Sequence, residues 1–265
     1  MLNVKKIESE IVGSTFIEEI YYFSEMESTN SFAKTLTEKD NVLVITDYQS
    51  GGRGRFKRKW FSERNSSLTF TIKKHFEISS RKIQFVNFYS CVCVFLALKD
   101  FLSGQNSVKP FQLTIKWPND IFLNQKKLSG ILIENLSGKN DFTIGIGINV
   151  NQELFPEDLT IFAVSLKQHL GMEIDCTELL IEIILAFDNN LELLQSKKFD
   201  KIFKLWKENN NYLGKKIIFS TIGNVEREAQ IIDFHEDGGI QLRINNKDIV
   251  YYSGDIKISA ANDPI

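Results

Sequence analysis

Cysteine is scarce in this 265-residue chain, and its three copies cannot staple a fold. Cys91, Cys93 and Cys176 give an odd, sparse set with no disulfide framework. Cys91 and Cys93 lie two apart in an apolar stretch that reads as helix, where such neighbours share no face. Both are expected to be small buried hydrophobes in a reducing compartment, which makes the cytoplasm the expected location. Histidine is scarce too: His75, His169 and His235 are scattered and offer neither metal nor triad spacing. Neither sign of charge dominates. Against 32 basic residues stand 34 acidic ones, a net −2, which argues against a chain whose main task is coating nucleic acid. The longest apolar run, "CVCVFLAL", is far too short to span a bilayer. "MLNVKKIESEIVGSTF" has no apolar core, so the N-terminus does not read as a signal peptide. There is no Walker A motif, and "GIGINVN" at 145–151 lacks the third glycine and the following helix of a dinucleotide fingerprint.

What is present is ordinary globular material, 43% hydrophobic and 25% charged. It is long enough to bury a core unaided, as one large domain or one domain plus a small one. Residues 20–23 read as a strand, and Ser28, Thr29 and Asn30 as a helix start. "NVLVITD" and "SSLTFTIK" read as strands on either side of a loop, and 81–102 as a long helix. "FQLTIKW", "DIFLNQKKLSGILIE" and "DFTIGIGINVN" read as strands, with turns at Pro118-Asn119 and Asn124-Gln125. Residues 176–209 carry apolar positions at helical spacing. After "NYLGKK" short strands follow one another closely, which suggests a small β-barrel. The expected fold is α+β, a mixed sheet with helices over 1–213 and a small C-terminal β-barrel over 214–265. No internal repeat or low-complexity tract is visible.

Three segments carry chemistry. "GGRGRFKRKW", residues 51–60, packs three glycines, five cations and two aromatics into a loop. Its glycines let backbone N–H groups approach an anion, and Arg53 and Arg55 can each grip a carboxylate or phosphate by two donors. Read alone, the segment serves equally as a solvated basic loop or an RNA tether. In "KWPND", residues 116–120, Asn119 and Asp120 offer an oxygen pair suited to Mg²⁺ as well as an ordinary turn. Lys126 and Lys127 begin the next strand, where neighbours face opposite ways, and spacing does not say which faces inward. An arginine-glycine loop, an Asn-Asp turn, one inward lysine and a glycine-flanked asparagine together suit a site that holds two mutually repelling anions, a carboxylate and a nucleotide phosphate.

At these residues the chain resembles the biotin protein ligases, also called biotin–acetyl-CoA-carboxylase ligases. "ESTN" (27–30), "YQSGGRGRFKRKW" (48–60), "KWPND" (116–120), "KKLSGILIE" (126–134) and "GIGINVN" (145–151) follow that family's motifs in order. The likeness runs from about residue 20 to the C-terminus and is weak over the C-terminal strands. Phe56-Lys57 falls at a variable point of the loop, and Ser129 stands where alanine is common. The resemblance implies two-step, ATP-dependent attachment of biotin to a lysine of a biotin carboxyl carrier domain, through biotinoyl-5'-AMP, with Mg²⁺. It implies biotin binding by Ser28, Thr29, Asn30, Gln49, Gly52, Arg53, Gly54, Arg55, Lys127 and Gly130. It implies ATP binding by Arg53, Arg55, Arg58, Trp60, Asn119, Lys127 and Asn149. Lys127, rather than Lys126, Arg55 and Asp120 would be the catalytic groups, with Asp120 either a base or a metal ligand. Some relatives carry an N-terminal DNA-binding domain; with about twenty residues before the first strand, a ligase without repressor function is expected. No nucleic acid or membrane partner is expected, and a homodimer is compatible with the sequence. The rival readings are a lipoate–protein ligase and, further off, an RNA-binding protein that uses the basic loop.

Overall fold

The computed structural model describes residues 1–105, 110–136, 140–221 and 226–258. Its elements, in chain order, are α1 (Val4–Ile11), β1 (Glu19–Phe23), α2 (Thr29–Thr35), β2 (Val42–Thr46), β3 (Ser67–His75), α3 (Gln84–Gly104), β4 (Leu113–Lys116), β5 (Asp120–Leu123), β6 (Lys126–Leu136), β7 (Asp141–Asn149), α4 (Glu157–Thr160), α5 (Leu166–Leu170), α6 (Cys176–Gln195), α7 (Phe199–Glu208), β8 (Lys216–Ser220), β9 (Glu226–Phe234), β10 (Ile240–Ile244), β11 (Lys247–Tyr251) and β12 (Asp255–Ile258).

Seven strands form one mixed sheet in the order β1-β2-β3-β7-β6-β5-β4. Only β1 and β2 run parallel, joined across α2; the remaining pairs are antiparallel. Alternation along β7 explains its two faces. Phe142, Ile144, Ile146 and Ile148 enter the core, whereas Thr143, Gly145, Gly147 and Asn149 make the opposite face small and polar. On β3, Thr69 and Thr71 stand opposite Gly147 and Gly145 and continue that small face. The apolar face packs under α3, which is apolar on all sides because α6 and α7 cover it from behind. Cys91 and Cys93 are buried there, as expected. By length and composition the segment Ser80–Gly104 could cross a membrane, but here it is mostly buried within the fold.

Helix α1 has too short a pattern to be read from sequence, yet it is well built. Asn3 caps it by accepting from the Lys6 N–H, and Ile7 and Ile11, one turn apart, are fully buried toward α6.

The C-terminal strands form a second, five-stranded antiparallel sheet, β11-β10-β9-β8-β12. A barrel was expected, but this sheet is open: among the described residues its edge strands β11 and β12 do not pair. Closure would require those two edges, of five and four residues, to meet. Leu213 lies in the connector between α7 and β8, and residues 259–265 of the expected second unit lie outside the described residues. The second sheet is fastened to the first unit. The Trp117 indole N–H donates to the Gly238 carbonyl at 3.0 Å, Trp206 packs edge-on against Phe234 at 5.2 Å, and Lys207 pairs with Asp233 at 2.5 Å.

Candidate functional site

The small face of the large sheet is the floor of a cleft of about 230 Å³, room for a small molecule. One row of register partners crosses this floor: Lys116 opposite Asp120, Asp120 opposite Gly130, and Gly130 opposite Gly147. Directly opposed residues project on one face, so these four positions share the cleft side. The two glycines give up their side-chain volume to larger groups. A Cβ on Gly147 would lie 2.5 Å from the Trp60 indole, and one on Gly130 would lie 3.1–3.2 Å from Trp60 and from the end of the Lys127 side chain. Trp60 therefore lies flat on the glycine pair. The Lys127 ammonium passes over Gly130 to meet Asp120 at 2.7 Å, 5.7 Å from the indole ring centre.

Lys127 reaches this face because of a β-bulge. Ile121 of β5 stands opposite Ser129, but Phe122 stands opposite Lys127, so Leu128 is an extra residue on β6. The bulge reverses the parity of the strand behind it. Lys127 turns into the cleft, while Lys126 stays exposed and donates to the Thr160 carbonyl at 3.1 Å.

The far wall is the start of α2. Ser28 is its N-cap, its hydroxyl accepting from the Ser31 N–H at 3.3 Å. Thr29 donates through its N–H and its hydroxyl to Gln49 Oε1, at 2.7 and 3.1 Å. The Asn30 amide lies over Gly145, where a Cβ would come within 2.4 Å of it; it accepts from Thr71 at 2.6 Å and donates to Glu134 at 3.0 Å. Glu134 in turn pairs with Lys34 at 2.5 Å.

Residues 51–60 close the cleft as an irregular hairpin. Trp60 N–H donates to Gly52 O at 2.9 Å and Gly54 N–H to Arg58 O at 2.8 Å, around one 3₁₀ turn at Arg55–Lys57. Gly52 is buried against Gln49 and the Trp60 backbone, where a Cβ would be 3.2–3.3 Å from both. Arg53 donates to the Ser31 hydroxyl at 3.0 Å. Arg58 forms an ion pair with Asp255 of β12, so the second sheet holds the loop's end. The Arg55 guanidinium stacks on Phe56 at 4.9 Å, and burial pushes its pKa down although Asp120 and Asp255 favour its charge. The Trp60 indole N–H is buried without a partner among the described residues, a donor available to a ligand.

Of the residues expected from sequence, Ser28, Thr29, Asn30, Gln49, Arg53, Gly54, Arg55, Arg58, Trp60, Asn119, Asp120, Lys127, Gly130 and Asn149 all line this cleft; Gly52 supports it from behind. Asn119 works through its backbone as well. Its amide donates to the Ile131 carbonyl, and its own carbonyl accepts from Ile131 N–H at 3.0 Å, which secures the turn before Asp120. Asn149 Nδ2 donates to the Lys127 carbonyl at 3.3 Å and steadies the bulged segment. Sequence reasoning missed Gly145 and Gly147 as floor, although their alternation with isoleucine was readable. It also missed Phe155, Leu159 and Ala163, which line the cleft from an apolar segment without a motif. Lys116 was missed too; burial draws its pKa down to about 8, against the pull of Asp120 and Asp255 and with the push of Lys127 and Lys257.

A magnesium ion would find one cleft carboxylate here, Asp120, already 2.7 Å from an ammonium. No group of three or more His, Cys, Asp or Glu side chains gathers to hold a metal among the described residues. Such a donor set fits an ion that arrives on phosphate oxygens rather than one caged by protein.

The glycine floor yields a direct prediction. Gly147→Ala should expel the indole from its seat, at an overpacking cost of roughly 1–3 kcal/mol. Trp117 and Trp206 are buried while Trp60 is partly exposed, so the displacement should be read as a red shift in tryptophan emission. An unshifted spectrum would mean that Trp60 does not rest on Gly147.

Comparison with known proteins agrees with this geometry. The Biotin/lipoate A/B protein ligase family matches residues 22–151. The chain is 30% identical over 261 residues to the bifunctional ligase/repressor BirA of Bacillus subtilis, covering 95% of this chain and 76% of that protein. It is 29% identical over 227 residues to the biotin–[acetyl-CoA-carboxylase] ligase of Paracoccus denitrificans, covering 82% and 91%. The biotin protein ligase from Aquifex aeolicus in complex with biotin and ATP shares the fold with a TM-score of 0.77 at 26% identity, over 92% of this chain and 100% of that one.

Proposed function

The chain belongs to the biotin protein ligase family, and from that premise we propose how its cleft divides the work of the reaction. The enzyme attaches biotin to a biotin carboxyl carrier protein or domain, with ATP and biotin as substrates. A biotin carboxylate oxygen attacks the α-phosphorus of ATP and pyrophosphate leaves. The carrier lysine's amine then attacks the acyl carbon of biotinoyl-AMP, AMP leaves, and the amine loses its proton.

The observation that carries the residue assignment is the Lys127 ammonium, aimed over Gly130 into a cleft with the Arg55 guanidinium at its mouth. Two anions must be held within bonding distance in the first step, and cations already gathered at the cleft offset their repulsion. Lys127 contacts first the carboxylate and then the reacting phosphate. Ser28, Thr29, Asn30, Gln49, Gly52, Arg53, Gly54 and Gly130 form the biotin end; Arg53, Arg55, Arg58, Trp60, Asn119 and Asn149 form the nucleotide end. Mg²⁺ bound to ATP would offset charge on its phosphates, and Asp120 would be the cleft carboxylate placed to hold it. In the second step the acceptor lysine, with a reference pKa of about 10.4, must shed a proton, and Asp120 orients that amine. The C-terminal sheet forms a second unit that steadies the loop through Asp255. The three free thiols fit a reducing cytoplasm.

The deciding experiment is ATP–pyrophosphate exchange with biotin or lipoate. Exchange that depends on biotin supports the assignment; equal exchange with lipoate would overturn the biotin specificity.

A further inference from the structure

Lys116 opens the KWPND segment but is absent from the cleft lining. It ends β4 directly opposite Asp120, so their side chains project on one face. Its ammonium sits 4.3 Å from the centre of the Phe122 ring. Four charged groups act on it: Asp120 and Lys127 from the large sheet, and Asp255 and Lys257 from β12. Both carboxylates are engaged elsewhere, Asp120 by Lys127 and Asp255 by Arg58. Among the described residues Lys116 thus closes no ion pair of its own, and it stands as a reserve cation at the outer end of the floor.

This matters once substrates arrive. The ammonium that holds Asp120 is the one the reacting phosphate needs. When Lys127 turns to that phosphate, Asp120 loses its partner in a partly buried site, where an unpaired carboxylate is costly and free to move. We propose that Lys116 is a positioning residue for the second step: it takes over as counter-ion of Asp120 when Lys127 leaves, and keeps that carboxylate aimed at the acceptor amine. The inference rests on the role given to Asp120 above.

Single-turnover measurements on the full chain separate the two half-reactions. In Lys116→Met, biotinoyl-AMP formation should stay within about three-fold of wild type. Transfer from preformed adenylate to carrier should slow by about ten- to a hundred-fold, the scale of a misplaced reacting group. Lys116→Arg should recover most of the transfer rate. The melting temperature of Lys116→Met should be unchanged or higher. The folded-state pKa lies below the ordinary 10.5, so at neutral pH the charge subtracts stability and its removal returns it. Equal loss of both half-reactions, transfer at the wild-type rate, or no recovery with arginine would each overturn the proposal. Asp120→Asn distinguishes the sources of failure. If it transfers normally, the reading of Asp120 falls and this inference with it; if it transfers slowly while Lys116→Met transfers normally, only the inference falls.

Discussion

Lys127→Ala is expected to cut biotinoyl-AMP formation by about a hundred- to a thousand-fold, the usual loss when one preorganised charge-stabilising donor is removed from an active site. The size follows from position. Lys127 is the ammonium on the cleft face of β6, and the end of its side chain passes over Gly130 to Asp120. Lys126→Ala should stay within about two-fold, since that side chain is exposed and donates only to a carbonyl in α4. Rates of adenylate formation, by pyrophosphate exchange, compare the two variants directly. Similar losses would mean that the bulge at Leu128 is absent in solution.

The second large effect is expected from Arg55→Gly, and it lies in retention rather than synthesis. Arg55 is half-buried at the cleft mouth and its guanidinium makes no hydrogen bond among the described residues; it stacks on Phe56 and feels Asp120 and Asp255. An acyl-adenylate brings a phosphate for it to grip, and such a charge-assisted hydrogen bond is worth roughly 1.5–3 kcal/mol, or about ten- to a hundred-fold in affinity. Glycine also loosens a loop whose end is otherwise held by Arg58 and Asp255. The variant should therefore make biotinoyl-AMP, release it, and label exposed lysines of bystander proteins. Mass spectrometry of a mixture of carrier and an unrelated protein reads this directly. Labelling confined to the carrier would show that Arg55 does not hold the adenylate.

Residues 214–265 show how neighbouring packing limits a simpler test. Truncation after Leu213 would remove Phe234 from one edge of Trp206, the acceptor of Trp117 and the Asp255 anchor together. Loss of ligation in that protein would report broken packing as well as any direct role. Substitution at Asp255 alone is the cleaner probe.

Much of the site was readable in the chain. Strands, long helices and the glycine-arginine loop follow from alternation, helical spacing and residues tolerant of unusual backbone, which are local properties. The motifs named the family, and with it the residues that line the cleft. Helix α1 escaped because eight residues carry too few periods for a pattern, and its stability comes from Ile7 and Ile11 against α6. Barrel closure could not be judged from strand signals, because it depends on whether two distant edges meet. Above all, the choice between Lys126 and Lys127 was beyond strand arithmetic. Counting by twos from Gly130, which faces the cleft, lands on Lys126, whereas the extra residue Leu128 puts Lys127 there. A bulge is settled by how β6 pairs with β5 across the sheet, so the family resemblance could name Lys127 while counting along the strand could not, and only strand pairing supplied the physical reason that Lys127 and not Lys126 faces the cleft.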